Sequence, residues 1–590
     1  MNGTRDPAGP ERSRGRSGIP GLDAQIRDAG DSAVLLELES IIDPAVNARA
    51  IAIAAAVSDQ RIEGVRDVIP TYRSVAVHFD PLTCDIDSVR NTMREAASSP
   101  RVSATGSLVE VPVMYGGDDG PDLDDVAAFA RLPAKTVIDR HCGPEYRVFM
   151  LGFLPGFAYM GTVDESIAAP RKATPRTRIP AGSVGIAGRQ TGVYPRSSPG
   201  GWQLIGRTSL QVFDPDREPA ALFRAGDRVK FHQSPLENHS PVARTFMVRA
   251  EMPGRCLTVI RPGLLTTIQD GGRWGYQDRG VPVSGPMDRQ AHRLANALVG
   301  NSPDAAALEA TLLGPELRFD QPALIAVAGA DLDAAIDDQR VELDTPHRVE
   351  SGRILRFGAR RSGTRTYIGI GGGIDVPPVL GSRSTHVVSG LGGIDGRALR
   401  AGDGLALGSS DKQRNESNHA RTVKLRATGD WIHARPGTGT SNAPTGARLR
   451  AMRGPQDYYF EESAFDWLGR TRFTVSPQSD RMAYRLIAGS ERTRPPSSII
   501  NPGSGRFDRG AMISDAAFTG GIQIPPSGDP ILLMADRQTT GGYPQIATVI
   551  TADLRLAGQL APGDWIEFTW CSRTEAIAAL KEQEEAFGGR

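Results

Sequence analysis

The stretch 148–214 sets the tightest limit on how this chain can fold. It reads VFMLGFLPGFAYMGTVDESIAAPRKATPRTRIPAGSVGIAGRQTGVYPRSSPGGWQLIGRTSLQVFD. Its apolar runs, 148–151, 184–187, 204–205 and 210–213, are only two to four residues long. Turn-forming pairs separate them, among them Pro155-Gly156, Ala181-Gly182 and Pro199-Gly200-Gly201. No helix survives such frequent Gly and Pro, and a disordered linker would lack the apolar runs. The pattern predicts short strands closing a β-barrel, with loops of fixed shape on which a site can be built.

At 590 residues the chain exceeds one core, and three to five domains are expected. The 67 glycines and 43 prolines favour turns and short strands throughout. Lys+Arg and Asp+Glu stand at 68 each, so bulk charge gives no argument for nucleic acid or membrane as a partner. The longest apolar stretches, such as 51–57, are too short to span a bilayer. Residues 1–20 have no apolar core and read as a tail rather than a secretory signal. Cys84, Cys142, Cys256 and Cys571 are far apart, which argues against a zinc site and for a reducing cytoplasm; no metal is expected.

The boundaries read as a disordered tail over 1–21, a small α+β domain over 22–106 and a barrel over 107–235. A linker over 236–255, a tandem-barrel region over 256–570 and a C-terminal helix over 571–590 follow. Within 22–113 the order is β-α-β-β-α-β, a ferredoxin-like pattern. Its first helix starts at Asp43-Pro44, a cap followed by a first-turn proline. His78 alternates within a strand and reads as structural. Asp122 is expected to cap a helix through Arg131. Asp288 is expected to cap another, in which Ala291, Leu294, Ala295 and Leu298 form a buried stripe and Gly300 ends the helix.

One pattern recurs four times. Ala225-Gly-Asp-Arg-Val-Lys-Phe231, Ser351-Gly-Arg-Ile-Leu-Arg-Phe357, Ala401-Gly-Asp-Gly-Leu-Ala-Leu407 and Pro562-Gly-Asp-Trp-Ile-Glu-Phe568 each place a Gly turn before an alternating strand. Convergent hairpin chemistry accounts for this; related barrels repeated along the chain also do, and that reading is preferred.

There is no Gly-Lys dipeptide for a P-loop, no G-x-S-x-G, no HExxH, no CxxC and no Met-Lys-Met for biotin attachment. The remaining candidates are local. Arg171-Lys-Ala-Thr-Pro-Arg176-Thr-Arg178 presents four cations among prolines and suits carboxylate or phosphate, or is simply a solvated basic loop. Gln269-Asp270-Gly-Gly-Arg273 and Ser284-Gly-Pro-Met-Asp288 set carboxylates beside glycine turns, although Asp288 serves equally as a cap. His292 and Asn296, one turn apart, share a helix face, as part of a site or as an exposed polar surface. Glu309 is read in a short helix ending at Gly314-Pro315, as a base or merely solvated. In Met534-Ala-Asp536-Arg537-Gln538-Thr-Thr540-Gly-Gly-Tyr543, acid, base, amide, hydroxyl and phenol follow an apolar strand, and function is preferred there; Ser476–Arg485 is a weaker companion.

These motifs carry a resemblance. Residues 22–235 resemble the allophanate hydrolase subunit 1-like family through Gly152-Phe-Leu-Pro-Gly-Phe157, Thr174-Pro-Arg176, Pro180-Ala-Gly-Ser-Val-Gly-Ile-Ala-Gly188, Gln190-Thr-Gly and Pro199-Gly-Gly-Trp202. Residues 256–570 resemble the subunit 2-like family through Gln269-Asp270, Ser284–Asp288, Ala295-Asn296, Leu380-Gly-Ser-Arg-Ser384, Ser479-Asp-Arg-Met482 and Ala535–Tyr543. The resemblance is to the B and C subunits of 5-oxoprolinase fused in one chain. It implies an α+β, mostly β protein: a ferredoxin-like domain followed by cyclophilin-like barrels in both halves. It also implies a cytoplasmic, ATP-dependent opening of 5-oxo-L-proline to L-glutamate, with magnesium beside the ATP and a separate A subunit as partner. A homo-oligomer is a further expected partner, and no biotin attachment site is present. Under this reading Asp536 is the acid/base, Arg537 and Gln538 supply charge and orientation, and Asp270 and Asp288 join them as catalytic candidates. Arg176, Arg178, Thr540, Tyr543 and Asn296 are expected to bind substrate. The same paired domains imply two alternatives: the carboxyltransferase of a biotin-dependent, urea carboxylase-like system, and a regulator like the sporulation kinase inhibitor.

Overall fold

The computed structural model describes residues 25–98, 106–234, 255–408, 445–489 and 512–587. The expected tail and most of the expected linker lie outside these residues.

The small domain is a four-stranded antiparallel sheet in the order Gln25–Asp28, Ala33–Glu37, Ser74–Phe79, Val65–Pro70. Helices Pro44–Asp59 and Ile86–Ser98 cover it. Asp43 caps the first of these, its side chain accepting from Ala45 N at 2.7 Å, with Pro44 as the first helical residue. This is the ferredoxin-like arrangement with one exchange. The strand expected to complete it leaves for the barrel as Leu108–Tyr115, and Gln25–Asp28 takes the edge beside Ala33–Glu37.

The stretch 148–214 does lie in a closed seven-stranded barrel. In order around the ring the strands are Leu108–Tyr115, Gln203–Arg207, Ser183–Ala187, Gln190–Val193, Ala158–Gly161, Tyr146–Leu151 and Arg228–Gln233. First and last strands close it in parallel, Val111 opposite Phe231. Alternate residues such as Val111, Val148, Val184, Ile205 and Phe231 fill it.

A second closed barrel occupies 446–570: Gly446–Arg453, Gln545–Val549, Gly521–Gln523, Ile531–Leu533, Ala483–Ala488, Phe473–Val475 and Trp565–Trp570. Strand for strand it repeats the first in sequence order. First and last strands again run parallel, Leu449 opposite Phe568. Each barrel also carries one accessory two-stranded ribbon at equivalent places: Arg176–Ile179 with Ser198–Gly200, and Asp515–Ala516 with Thr540–Gly541.

The tandem of barrels expected over 256–570 is corrected at its start. Residues 255–408 form a six-stranded and a five-stranded sheet enclosing a shared core that includes Leu257, Ile268, Val327, Leu355 and Ile370. Helix Arg289–Leu298 lies on the second sheet, its stripe of Ala291, Leu294, Ala295 and Leu298 packed on Ala326, Ala328 and Tyr367. Gly300, at φ +78°, follows its end. Glu309 belongs to strand Ala307–Thr311, not to a helix.

Candidate functional site

The two sequence clusters richest in polar residues meet in the interior of the second half. Arg481 is buried just before the barrel strand Ala483–Ala488 and forks onto Asp536, with Nε to Oδ2 at 3.0 Å and Nη2 to Oδ1 at 3.1 Å. Its Nη1 donates to Glu309 Oε1, and its Nη2 also donates to the Gly285 carbonyl at 2.6 Å. Glu309 Oε2 accepts from Met287 N at 2.9 Å and from Tyr367 Oη at 2.7 Å; Tyr367 Oη in turn accepts from Asp288 N at 2.8 Å. The planar guanidinium suits two carboxylates at once. The carboxylates hold Arg481 firmly charged, above its usual range, against the opposing pull of burial. The network strings the 284–288 loop onto the second barrel.

A smaller network joins the halves. Asp67, on the small domain's edge strand, accepts from Gly275 N at 3.1 Å, Gln277 N at 3.1 Å and Gln277 Nε2 at 2.9 Å. Burial raises its carboxyl above the usual range despite those donors. Arg537 is 1% exposed and donates from Nη2 to Gln277 Oε1 at 2.8 Å. Burial pushes its guanidinium down to about 10.

Above both networks opens a cleft of about 890 Å³. The small domain supplies Arg66 and His78, the two-sheet region Ser284, Arg289 and Gln290, and the second barrel Met534 and Ala535. Arg555 and the helix Arg573–Ala586 close one side. The floor residues Ser284 to Met287 and Met534 to Ala535 are the ones that the Arg481 network fixes from below. Ser284 holds φ at +58°, an uncommon conformation for a residue other than glycine and one often found where a side chain is aimed for function.

The other candidates are placed as follows. Asp270 is an anchor: its carboxylate accepts from Ser382 Oγ at 2.6 Å, Ser384 Oγ at 2.7 Å and Gly272 N at 3.0 Å. Burial alone would raise it, but these donors hold it below the usual range. Arg273, 0% exposed, clamps the same loop through the Val379 and Ser384 carbonyls, both at 2.8 Å. Asp288 caps its helix through Ala291 N at 3.0 Å and accepts from Gln559 Nε2 at 2.8 Å. His292 and Asn296 do not form an exposed face. Both are buried: His292 Nε2 bonds the Gln269 carbonyl at 3.0 Å, and Asn296 Nδ2 donates to the Ala305 carbonyl at 2.8 Å.

Asp122 makes no side-chain cap. It binds Arg176 at 2.6 Å, Lys172 at 2.8 Å and Leu204 N at 2.7 Å, and so ties the basic loop to the barrel wall. Arg178 is exposed and reaches Ser197 Oγ at 3.3 Å. Neither Arg176 nor Arg178 lines the cleft. Thr540 is buried where the halves meet, and a side chain at Gly152 would collide with it. Gln538 is half-buried and Tyr543 is 38% exposed. Asp536, Glu309 and Asp288 are thus brought into one network, with Arg537 beside it, while Arg176 and Arg178 stay apart.

Sequence reasoning missed Arg481 as the hub, Asp67 with Gln277, and His78 and Ser284 as cleft walls. Arg481 lay inside the Ser479-Asp-Arg-Met482 motif, but its partners are 55 and 172 positions away.

Comparison with known proteins now has a geometry to rest on. The description "Carboxyltransferase domain, subdomain C and D" matches residues 24–223, and "Carboxyltransferase domain, subdomain A and B" matches 279–570. The 5-oxoprolinase B subunit of Bacillus subtilis is 45% identical over 35% of this chain and 91% of its own length. The 5-oxoprolinase C subunit of Escherichia coli is 37% identical over 56% of this chain and 96% of its own length. The urea amidolyase of Saccharomyces cerevisiae is 32% identical over 56% of this chain but only 17% of its own length. The crystal structure of TTHA0988 superposes with a TM-score of 0.76 at 33% identity, over 92% of this chain and all of that one. The chain therefore belongs to the carboxyltransferase-domain family that includes the B and C subunits of 5-oxoprolinase, and it carries a B-like and a C-like half in one polypeptide.

Proposed function

We propose that the chain is the fused B and C component of an ATP-dependent 5-oxoprolinase, working with a separate A subunit to convert 5-oxo-L-proline to L-glutamate. The observation that supports this best is the near-complete match of each half to a whole 5-oxoprolinase component, at 91% and 96% of the relatives' lengths. The cleft fits the reading because both halves build it. A five-membered lactam is a poor electrophile, and ATP supplies the phosphoryl group that activates its carbonyl. The residues of this chain would bind and orient: Arg289 and Arg555 for negative charge, Ser284 and Gln290 as donors to oxygen. Asp536, committed to Arg481, is a positioning residue in this scheme, fixing the cleft floor rather than exchanging a proton. The test is reconstitution. With the A subunit added, the chain should form ADP and L-glutamate only when 5-oxo-L-proline is present, and alone it should not. Absence of coupled turnover with an active A subunit would overturn the reading.

The urea amidolyase relatives and the carboxyltransferase descriptions support a second reading, a carboxyl transfer component for an external biotin carrier. In that case the chain should discharge a carboxybiotinylated carrier protein in the presence of its acceptor, and ATP without the carrier should do nothing.

A further inference from the structure

The helix Arg573–Ala586 closes one side of the cleft, and its hold on the body is uneven. Its first turn is fixed twice. Ser572 and Glu575 cap it reciprocally, and Arg573 donates to the Gly30 and Asp31 carbonyls of the small domain at 3.2 and 3.0 Å. Midway, Ala576 and Ala579 pack on Met452, Ile550 and Ala552 and bring only two methyl groups to that contact. At the cleft end the attachment turns polar. Arg293, on the helix Arg289–Leu298, forks onto Glu584, with Nη2 to Oε2 at 2.9 Å and Nη1 to Oε1. The same guanidinium lies 4.6 Å over the ring of Phe587, and Gln583 Nε2 donates to the Ala552 carbonyl at 2.7 Å.

Arg293 and Glu584 both line the cleft. Their pair therefore sets a carboxylate of the chain itself on a cation that an entering anion would otherwise meet. Two other arginines of the wall also face an acid, Arg66 with Asp80 at 2.8 Å and Arg289 with Asp304 at 3.8 Å. Those pairs lie within the small domain and within the two-sheet region. Of the three, only Arg293 with Glu584 ties two separate elements together along the side of the cleft. It is also built to part. Arg293 and Glu584 keep 16% and 29% of their side-chain surface exposed, against at most 6% in the Arg481 network. Water can take up both charges when the pair opens, so no buried ion is stranded.

We propose that the helix Arg573–Ala586 is an autoinhibitory lid: Glu584 holds Arg293 in place of an anionic ligand, and such a ligand enters by taking Arg293, which frees the cleft end of the helix while Arg573 keeps the other end on the small domain. The lid regulates the cleft assigned above and rests on that reading of it. The exchange conserves charge, since one carboxylate leaves the guanidinium and one anion replaces it. A closed lid lowers the apparent affinity of the cleft by the fraction of molecules that stand open, and weakening the fork removes that reduction.

Glu584→Gln in the full chain tests the lid, because it removes the charge of the fork and keeps its size. Glu582→Gln, exposed on the same helix and outside the cleft lining, is the control. Hydrogen exchange of the backbone amides over 581–587 should speed up about tenfold in Glu584→Gln and stay as in the parent in Glu582→Gln. Trp274 lines the cleft, so its fluorescence reports the entry of an anion. Iodide quenching of Trp274, isolated in each background by difference from the Trp274→Phe counterpart, should rise about twofold in Glu584→Gln alone. Unchanged exchange or unchanged quenching in Glu584→Gln, or equal changes in Glu582→Gln, overturns the lid. With an active A subunit, KM for 5-oxo-L-proline or for ATP should fall about threefold in Glu584→Gln; turnover with both constants unchanged also overturns it. Absence of turnover in the parent refutes the 5-oxoprolinase reading instead, and exchange and quenching then decide the lid by themselves.

Discussion

Arg481 neutralises two carboxylates, Glu309 and Asp536, where water cannot. All three side chains are at most 6% exposed, so the three charges tolerate burial only as a set. Arg481→Met keeps the volume but leaves both acids unpaired, and should lower unfolding free energy by about 3–5 kcal/mol in chemical denaturation. Asp536→Asn leaves Arg481 its Glu309 partner and should lower it by less; an equal or larger loss would refute the shared-pair account. A second residue-scale effect is pH. Partial burial raises the Asp278 carboxyl from 3.8 to about 6, against the pull of Arg279 and with a contribution from Asp67, although the side chain is still 41% exposed and solvent screens part of the effect. The folded chain then binds that proton more tightly than the unfolded one, so stability from this group is full below about pH 4 and declines as pH rises through about 6. Denaturation midpoints taken across that range should fall less steeply in Asp278→Asn than in the parent; a steeper fall in the variant would contradict the sign. Of these residues Asp536 was legible in the sequence as a preferred site residue, Glu309 as a base or a merely solvated acid, and Arg481 only as part of a weaker companion cluster. Arg481 was one arginine in a turn, and Glu309 lay in an apolar run whose periodicity fits helix and strand alike.

The four Gly turns gain a cause at the level of elements. Gly226, Gly352, Gly402 and Gly563 all have φ between +83° and +96°, where a side chain is strained. Three of the four are followed by aspartate, and each aspartate accepts from the backbone N–H three residues back: Asp227 from Arg224 at 2.7 Å, Asp403 from Arg400 at 2.7 Å, Asp564 from Ala561 at 2.8 Å. In the two barrels the same aspartate also holds the start of the first strand, Asp227 through Ser107 N at 3.0 Å and Asp564 through Thr445 Oγ1 at 2.6 Å. The turn is thus a latch that sets the closing strand parallel to the opening one. Nothing crowds a methyl at Gly563, so Gly563→Ala should cost about 1 kcal/mol from backbone strain alone. Asp564→Ala, which undoes both bonds of the latch, should cost more, about 1–3 kcal/mol. Equal melting temperatures for both variants and the parent would remove the latch as an explanation. The recurring motif was visible in the sequence, and so was the kinship of the barrels it closes. The two-sheet form of 255–408 was not, because the same turn there feeds strands Ile354–Phe357 and Gly404–Ala406 of one open sheet. A local turn cannot specify whether the ring around it closes.

Across the whole molecule, the B-like and C-like halves are joined by more than the chain. Asp67 receives three hydrogen bonds from Gly275 and Gln277. Asp31 receives Thr551 N at 3.1 Å and Thr551 Oγ1 at 2.7 Å. Arg27 pairs with Asp457 at 3.0 Å, and Gly156 N donates to the Arg279 carbonyl at 2.8 Å. Gly152 and Gly280 are glycines because the halves approach so closely there: a methyl at Gly280 would lie 2.5 Å from the Leu154 carbonyl oxygen. An interface whose two sides both line the cleft has to persist for the cleft to exist, and a covalent link then serves to fix stoichiometry and raise effective concentration rather than to create the contact. A protease site placed within residues 235–254 tests this on the intact protein. After cleavage the two fragments should co-elute on size exclusion at micromolar concentration and keep the affinity of the cleft for its ligand. Introducing Asp67→Ala into the cleavable chain removes three bonds at once, leaves Gln277 and Arg537 without their acid, and should make the fragments separate on dilution at least tenfold sooner. Fragments that part at micromolar concentration without that substitution would mean that the linker, and not the buried polar seam, holds the cleft together.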